Sequence, residues 1–117
     1  MNHPILVVDD DPAIRDAVRD VLEMEGLPVE TAADGSEALV KITARAPRLV
    51  LLDMRMPGLD GWGFARELRA AGIELPVVVM TAAADARRWA EEIGAVAVMA
   101  KPFGVGELMD VVRTYGR

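Results

Sequence analysis

The sequence predicts a doubly wound α/β fold, with five parallel strands in the order 2-1-3-4-5 and a helix after each strand. Three observations predict it. Short runs rich in β-branched residues alternate with longer stretches of helical periodicity. Four of the five runs are almost continuously apolar, as expected of strands covered on both faces. Charged residues stand directly after strands 1, 3 and 5, where open α/β sheets bind their ligands.

Strand 1 is read at residues 5–8, and Pro12 sits just inside a helix capped by Asp10 or Asp11. Ile14, Ala17, Val18, Val21 and Leu22 make the apolar stripe of that helix, and Gly26 ends it. Strand 2, at residues 29–31, carries Glu30 and suits a less buried position. Ser36 can cap a second helix running through Ile42, with Pro47 beyond it. Strand 3, residues 49–52, is followed by Asp53. Asp60 can cap a third helix carrying Phe64, Leu68 and Ala71, closed by Gly72. Strand 4 covers 77–80 and precedes Thr81; a fourth helix spans about 83–93 and stops at Gly94. Strand 5 covers 96–99 ahead of Lys101-Pro102, and the last helix spans about 105–115.

Composition narrows the function classes. The 117 residues, 52% hydrophobic and 27% charged, support one domain, 1–117, with one core and no second domain or linker. No apolar run approaches the roughly 18 residues of a spanning helix, and no basic flank precedes the first apolar run. A cytoplasmic chain without membrane contact is therefore expected. The absence of cysteine excludes disulfides, thiolate metal sites and thiol nucleophiles. A net charge of -6 disfavours a nucleic-acid surface.

Strand order decides whether the charged residues meet. In the order 2-1-3-4-5, strands 1, 3 and 4 are neighbours at about 4.8 Å, so Asp53 lies between the Asp9/Asp10 pair and Thr81. Lys101 starts about 10 Å away and can lean its long stem inward. The Rossmann order moves strand 3 to an edge and scatters the set; the first loop, Asp9-Asp10-Asp11-Pro12, also lacks the Gly-x-Gly-x-x-Gly phosphate turn. One helix cap needs one acid, not three. Three carboxylates within about 4 to 5 Å repel by a few kcal/mol per pair, which a hard dication such as Mg²⁺ would offset. Three carboxylates against a dication and Lys101 sum to zero. A phosphoryl group of roughly -2 in place of the Asp53 charge leaves about -1 with the metal and about -3 without it. Trp62, Trp89 and the seven methionines read as packing residues. His3, next to Pro4, reads as an inert residue of a frayed terminus.

Across essentially the whole chain these residues resemble the receiver domain of bacterial two-component response regulators, the chemotaxis regulators among them. Val7-Val8-Asp9-Asp10-Asp11-Pro12 resembles the first acidic loop of that family, and Asp34-Gly35-Ser36-Glu37-Ala38-Leu39 its second helix entry. Leu52-Asp53-Met54-Arg55-Met56-Pro57-Gly58-Leu59-Asp60-Gly61 resembles the phosphoacceptor segment, and Thr81-Ala82 and Lys101-Pro102-Phe103 complete the set. The resemblance implies a flavodoxin-like (βα)5 fold and transfer of a phosphoryl group from a phosphohistidine of a sensor histidine kinase, or from a phosphotransfer protein, to Asp53. It implies Mg²⁺ held by Asp9, Asp10, Asp53 and the backbone carbonyl of Arg55. Thr81 would donate its hydroxyl to the phosphoryl oxygens, Lys101 would pair with them, and the bond before Pro102 would be cis. A signalling domain follows, not an enzyme with a conventional turnover cycle: at most it phosphorylates itself from small donors and dephosphorylates itself. The downstream effector is a protein the sequence does not name, and a homodimer through helix 4, strand 5 and helix 5 is compatible with the resemblance.

One position departs from the family. Val98 stands three residues before Lys101, where the family usually has Tyr or Phe, so the usual coupling of Thr81 to a rotating ring has no ring to act on. This motivates an alternative, a receiver-like interaction module that works without phosphorylation. A Mg²⁺-dependent phosphohydrolase with Asp53 as nucleophile is a weaker alternative, because Met54 and Arg55 follow where an Asp-x-Asp arrangement is expected. With the last helix reaching the end of the sequence, the chain reads either as a stand-alone regulator or as a receiver cut from a longer protein.

Overall fold

Buried, largely β-branched runs form the strands, and the polar or glycine-containing segments between them turn the chain into amphipathic helices. A computed structural model describes residues 3–117. The order is β1 (Ile5–Val8), α1 (Pro12–Met24), β2 (Val29–Ala32), α2 (Gly35–Ala44), β3 (Leu49–Asp53), α3 (Gly61–Ala70), β4 (Val77–Thr81), α4 (Ala86–Ile93), β5 (Ala97–Ala100) and α5 (Val105–Tyr115). All strand pairs are parallel, and the sheet order is β2-β1-β3-β4-β5, as expected from the sequence.

The handedness of crossovers distributes the helices. The connection from β1 to β2 runs one way along the sheet, whereas those from β2 to β3, β3 to β4 and β4 to β5 run the other way. Right-handed crossovers therefore place α1 on one face and α2, α3 and α4 on the opposite face. Residues alternate accordingly along the strands. Leu6, Val8, Val50, Leu52 and Val79 pack with Ile42, Phe64, Leu68 and Trp89 of α2, α3 and α4. Ile5, Val7, Leu49, Leu51, Val78 and Met80 pack with Val18 and Leu22 of α1 and Leu108, Met109 and Val112 of α5. β2, at the edge, has three half-buried residues out of four, whereas β1, β3 and β4 are buried throughout.

Several boundaries differ from the sequence reading, each for a local reason. β3 and β4 run one residue further, so Asp53 and Thr81 are the last residues of their strands, and β5 is displaced by one residue to Ala97–Ala100. α2 is capped by Asp34, not Ser36: Asp34 Oδ1 accepts from the Glu37 N–H at 2.9 Å, and Glu37 Oε2 accepts from the Ala33 N–H at 2.9 Å. This pairing satisfies one helix-start donor and the N–H just ahead of the cap, and the helix begins at Gly35. α4 begins at Ala86, three residues later than expected, with Asp85 at its N-cap making no side-chain cap bond, while Thr81 Oγ1 accepts from the Ala83 N–H at 3.1 Å in the loop ahead of it. Gly72 and Gly94 do stop α3 and α4, with φ of 70° and 71°.

The start of the described chain is tied down rather than frayed. His3 Nδ1 lies 3.1 Å from the Ala46 carbonyl, and the His3 carbonyl accepts from Arg48 Nε at 2.7 Å. Met24 is 86% exposed, so it is not a packing residue, unlike Met54, Met80 and Met99, which are fully buried. No helix among the described residues is long and apolar enough to cross a membrane.

Candidate functional site

The register of the sheet assembles the charged strand ends. Val8 pairs with Leu52 and Asp53 with Met80, so Asp9, Asp53 and Thr81 emerge side by side along the same edge. Asp9 is wholly buried, Asp53 is 8% exposed and Thr81 is 6% exposed, while Asp10 faces solvent. Carboxylate oxygens of Asp9, Asp10 and Asp53 all lie within 4.8 Å of one another. Lys101 reaches in from the end of β5: its Nζ is 2.7 Å from Asp9 Oδ2 and 3.7 Å from Asp53 Oδ1. The Lys101 N–H donates to the Thr81 carbonyl at 3.0 Å, and the Lys101–Pro102 peptide is cis, as expected.

Each acid has its own surroundings. Asp9 Oδ1 accepts from the Asp11 N–H at 2.9 Å and Oδ2 from Lys101, which makes a buried charge tenable. Asp11 is spent on the helix: its Oδ1 caps α1 through the Ala13 N–H at 2.9 Å. Asp53 is less well compensated. Burial and then the charge of Asp9 push its carboxyl from 3.8 up to about 6, with Asp10 adding to the rise while Lys101 and a hydrogen bond from the Arg55 backbone N–H oppose it. The site thus places electrostatic stress on Asp53, the residue at the centre of the strand ends.

The donor set suits a hard divalent cation. Clustered carboxylate oxygens are the ligand type that Mg²⁺ takes, and their mutual repulsion of about 3 kcal/mol per pair favours a dication between them. Lys101 alone does not neutralise the three acids.

The structure thus brings Asp9, Asp10, Asp53 and Lys101 together and sets Thr81 at the neighbouring strand end. Sequence reasoning missed Arg15, whose Nη1 donates to the Asp9 carbonyl at 2.7 Å and braces the loop after β1. The available signal was its place in the first turn of α1, where helical side chains point back toward the N-terminus. It also missed that Arg55 stacks on Trp89, its guanidinium carbon 5.0 Å from the ring centroid.

Comparison with known proteins agrees with this geometry. The sequence profile of the response regulator receiver domain matches residues 5–113. The chain is 38% identical over 117 residues to sporulation initiation phosphotransferase F of Bacillus subtilis, covering 98% of this chain and 94% of that protein. It is 43% identical over 111 residues to response regulator MprA of Mycolicibacterium vanbaalenii, covering 93% of this chain but 48% of the relative, so it spans about half the length of that protein. Among solved structures, the receiver domain of NtrX from Brucella abortus superposes with a TM-score of 0.86 at 39% identity, covering 95% of this chain and 96% of that one. With the expected sheet order, the clustered acids at its carboxyl edge and a profile match over nearly its full length, the chain belongs to the family of response regulator receiver domains.

Proposed function

We propose that residues 1–117 form a single receiver domain acting in the cytoplasm, whose phosphoacceptor is Asp53. A phosphohistidine on a sensor histidine kinase or phosphotransfer protein is the donor. An Asp53 carboxylate oxygen attacks phosphorus, the P–N bond breaks with its electron pair returning to the imidazole, and an acyl phosphate forms on Asp53. The observation that carries this is the position of Asp53 at the end of a buried strand, between Asp9 and Lys101, with its charge poorly compensated.

The other residues have roles that follow from where they stand. Lys101, paired with Asp9 at 2.7 Å and 3.7 Å from Asp53, is placed to follow the new negative charge and hold the phosphoryl oxygens. The Thr81 hydroxyl, now accepting from Ala83 N–H, can donate to the same oxygens. Asp9, Asp10, Asp53 and the Arg55 carbonyl would hold Mg²⁺, which supplies neutralisation of the charge on the transferring group. Arg15 keeps the Asp9 peptide in place through its carbonyl.

Intact-mass measurement after incubation with acetyl phosphate and Mg²⁺ tests the reading. One phosphate should add to the chain, and none to the Asp53→Asn variant. An unmodified parent, or a modification retained in the variant, overturns it. Val98, half-buried against the α2, α3 and α4 side of the sheet, favours a second reading in which partner binding ignores phosphorylation. That reading predicts the same affinity for a partner with and without acetyl phosphate.

A further inference from the structure

A row of contacts on the rim of the site joins three elements. Arg55, two residues after Asp53, is exposed, and its guanidinium carbon lies 5.0 Å from the centroid of the Trp89 ring on α4. Trp89 is 5% exposed and meets Trp62 of α3 edge-on, with centroids 4.9 Å apart and planes at 70°. Trp62 Nε1 donates to Glu92 Oε1 at 3.2 Å, which returns the row to α4. Among the described residues no carboxylate forms an ion pair with Arg55, so the indole face is its partner. Guanidinium is weakly hydrated and planar, and stacking on an indole suits it.

The backbone of Arg55 joins this row to the reacting centre. Arg55 follows Asp53 by two residues along the loop after β3, and its carbonyl is the backbone oxygen proposed above for the metal. Loading of the carboxylates therefore acts on the peptide from which the guanidinium hangs. On β5, Val98 offers no large ring to move; the aromatic mass beside this site lies on α3 and α4 instead.

We propose that Trp89 is a positioning residue for the phosphoacceptor loop: its ring face holds the Arg55 guanidinium, which fixes the Arg55 peptide beside Asp53, and the same contact carries the state of the site to α4. This rests on the reading of Asp53 as phosphoacceptor. Because coupling between two places is reciprocal, a contact that helps hold the loop in its loaded form must respond when the loop is loaded.

Both tryptophans of the chain stand in the row, which supplies a direct signal. In a Trp62→Phe background, emission reports Trp89 alone. The metal-free chain is titrated with Mg²⁺ while emission and binding heat are followed in parallel, and acetyl phosphate is then added with intact mass recorded. Trp89 emission should change with Mg²⁺ and again on phosphorylation. Arg55→Met keeps the aliphatic stem and removes the cation; it should abolish both emission changes while calorimetry still shows Mg²⁺ binding, weakened about two- to fivefold. Arg55→Lys should restore part of the response. An equal response in Arg55→Met, or flat Trp89 emission while heat and mass show the site loaded, overturns the proposal. Absence of both Mg²⁺ binding and phosphate addition refutes the phosphoacceptor reading itself, and the proposal falls with it.

Discussion

Replacing Asp53 by Asn should stabilise the metal-free chain at neutral pH. Asp53 is 8% exposed, and burial, Asp9 and Asp10 together raise its carboxyl from 3.8 to about 6 against the opposing pull of Lys101 and the Arg55 N–H. In the unfolded chain the same carboxyl ionises near its ordinary value, so between about pH 4 and pH 6 the folded state binds the extra proton. Stability then falls as pH rises through that window and levels off above it, leaving the ionised group about 3 kcal/mol unfavourable at neutral pH. Asn has nearly the same volume, carries no charge and can still accept from the Arg55 N–H. It loses the attraction of Lys101, which is 3.7 Å from Asp53 and held more closely by Asp9 at 2.7 Å. The net gain should be about 1 to 3 kcal/mol, read as a higher urea midpoint by far-UV circular dichroism in a chelator. The advantage should shrink on acidification and disappear below about pH 4. Adding Mg²⁺ should also shrink it, since ligand binding stabilises the parent. An Asn variant less stable than the parent in chelator at neutral pH, or a gap that widens on acidification, would refute the reasoning.

Asp34→Ala should cost about 1 kcal/mol by removing the cap of α2, whereas Ser36→Ala, at an exposed position, should stay within about 0.5 kcal/mol; paired urea midpoints separate the two. Gly61→Ala places a Cβ 2.6 Å from Met54 Sδ and 2.8 Å from Met54 Cα, immediately beside Asp53. The backbone there has to shift, so we expect a loss of about 1 to 3 kcal/mol in stability and weaker Mg²⁺ binding by calorimetry. A variant with parental values of both would show that the loop after β3 gives way freely.

Particular elements show how far local sequence reaches. The stripe in α1, the Pro12 start and the Asp60 cap were legible because each depends on residues within one or two turns. The cap of α2 was misread because Ser36 and Asp34 can both offer a side-chain oxygen as acceptor to a helix-start N–H. Only the position of Glu37, reaching back to the Ala33 N–H, selects between them. The late start of α4 was not legible because its N-cap, Asp85, makes no side-chain cap bond that would mark it. Of the site, Asp9, Asp10, Asp53, Thr81 and Lys101 could be named from strand ends alone. Arg15 and the Arg55–Trp89 pair could not, because each joins residues through a helix orientation that the sequence leaves unstated.

By itself, then, the order of residues determined the alternation of strand and helix, the sheet order that brings the acids together, and the residue types at the site. The alternation follows from periodicity, which is local, whereas the sheet order followed from the charged strand ends, which meet in 2-1-3-4-5 and scatter in the Rossmann order, and from a first loop without the glycine phosphate turn. Tertiary structure alone decided that Asp9 takes Lys101 while Asp53 is left with a carboxyl raised to about 6, and that Arg55 turns from the acids to Trp89. Burial and pairing strength depend on distances between groups up to 92 residues apart along the chain, and those distances exist only once the sheet has closed and excluded water.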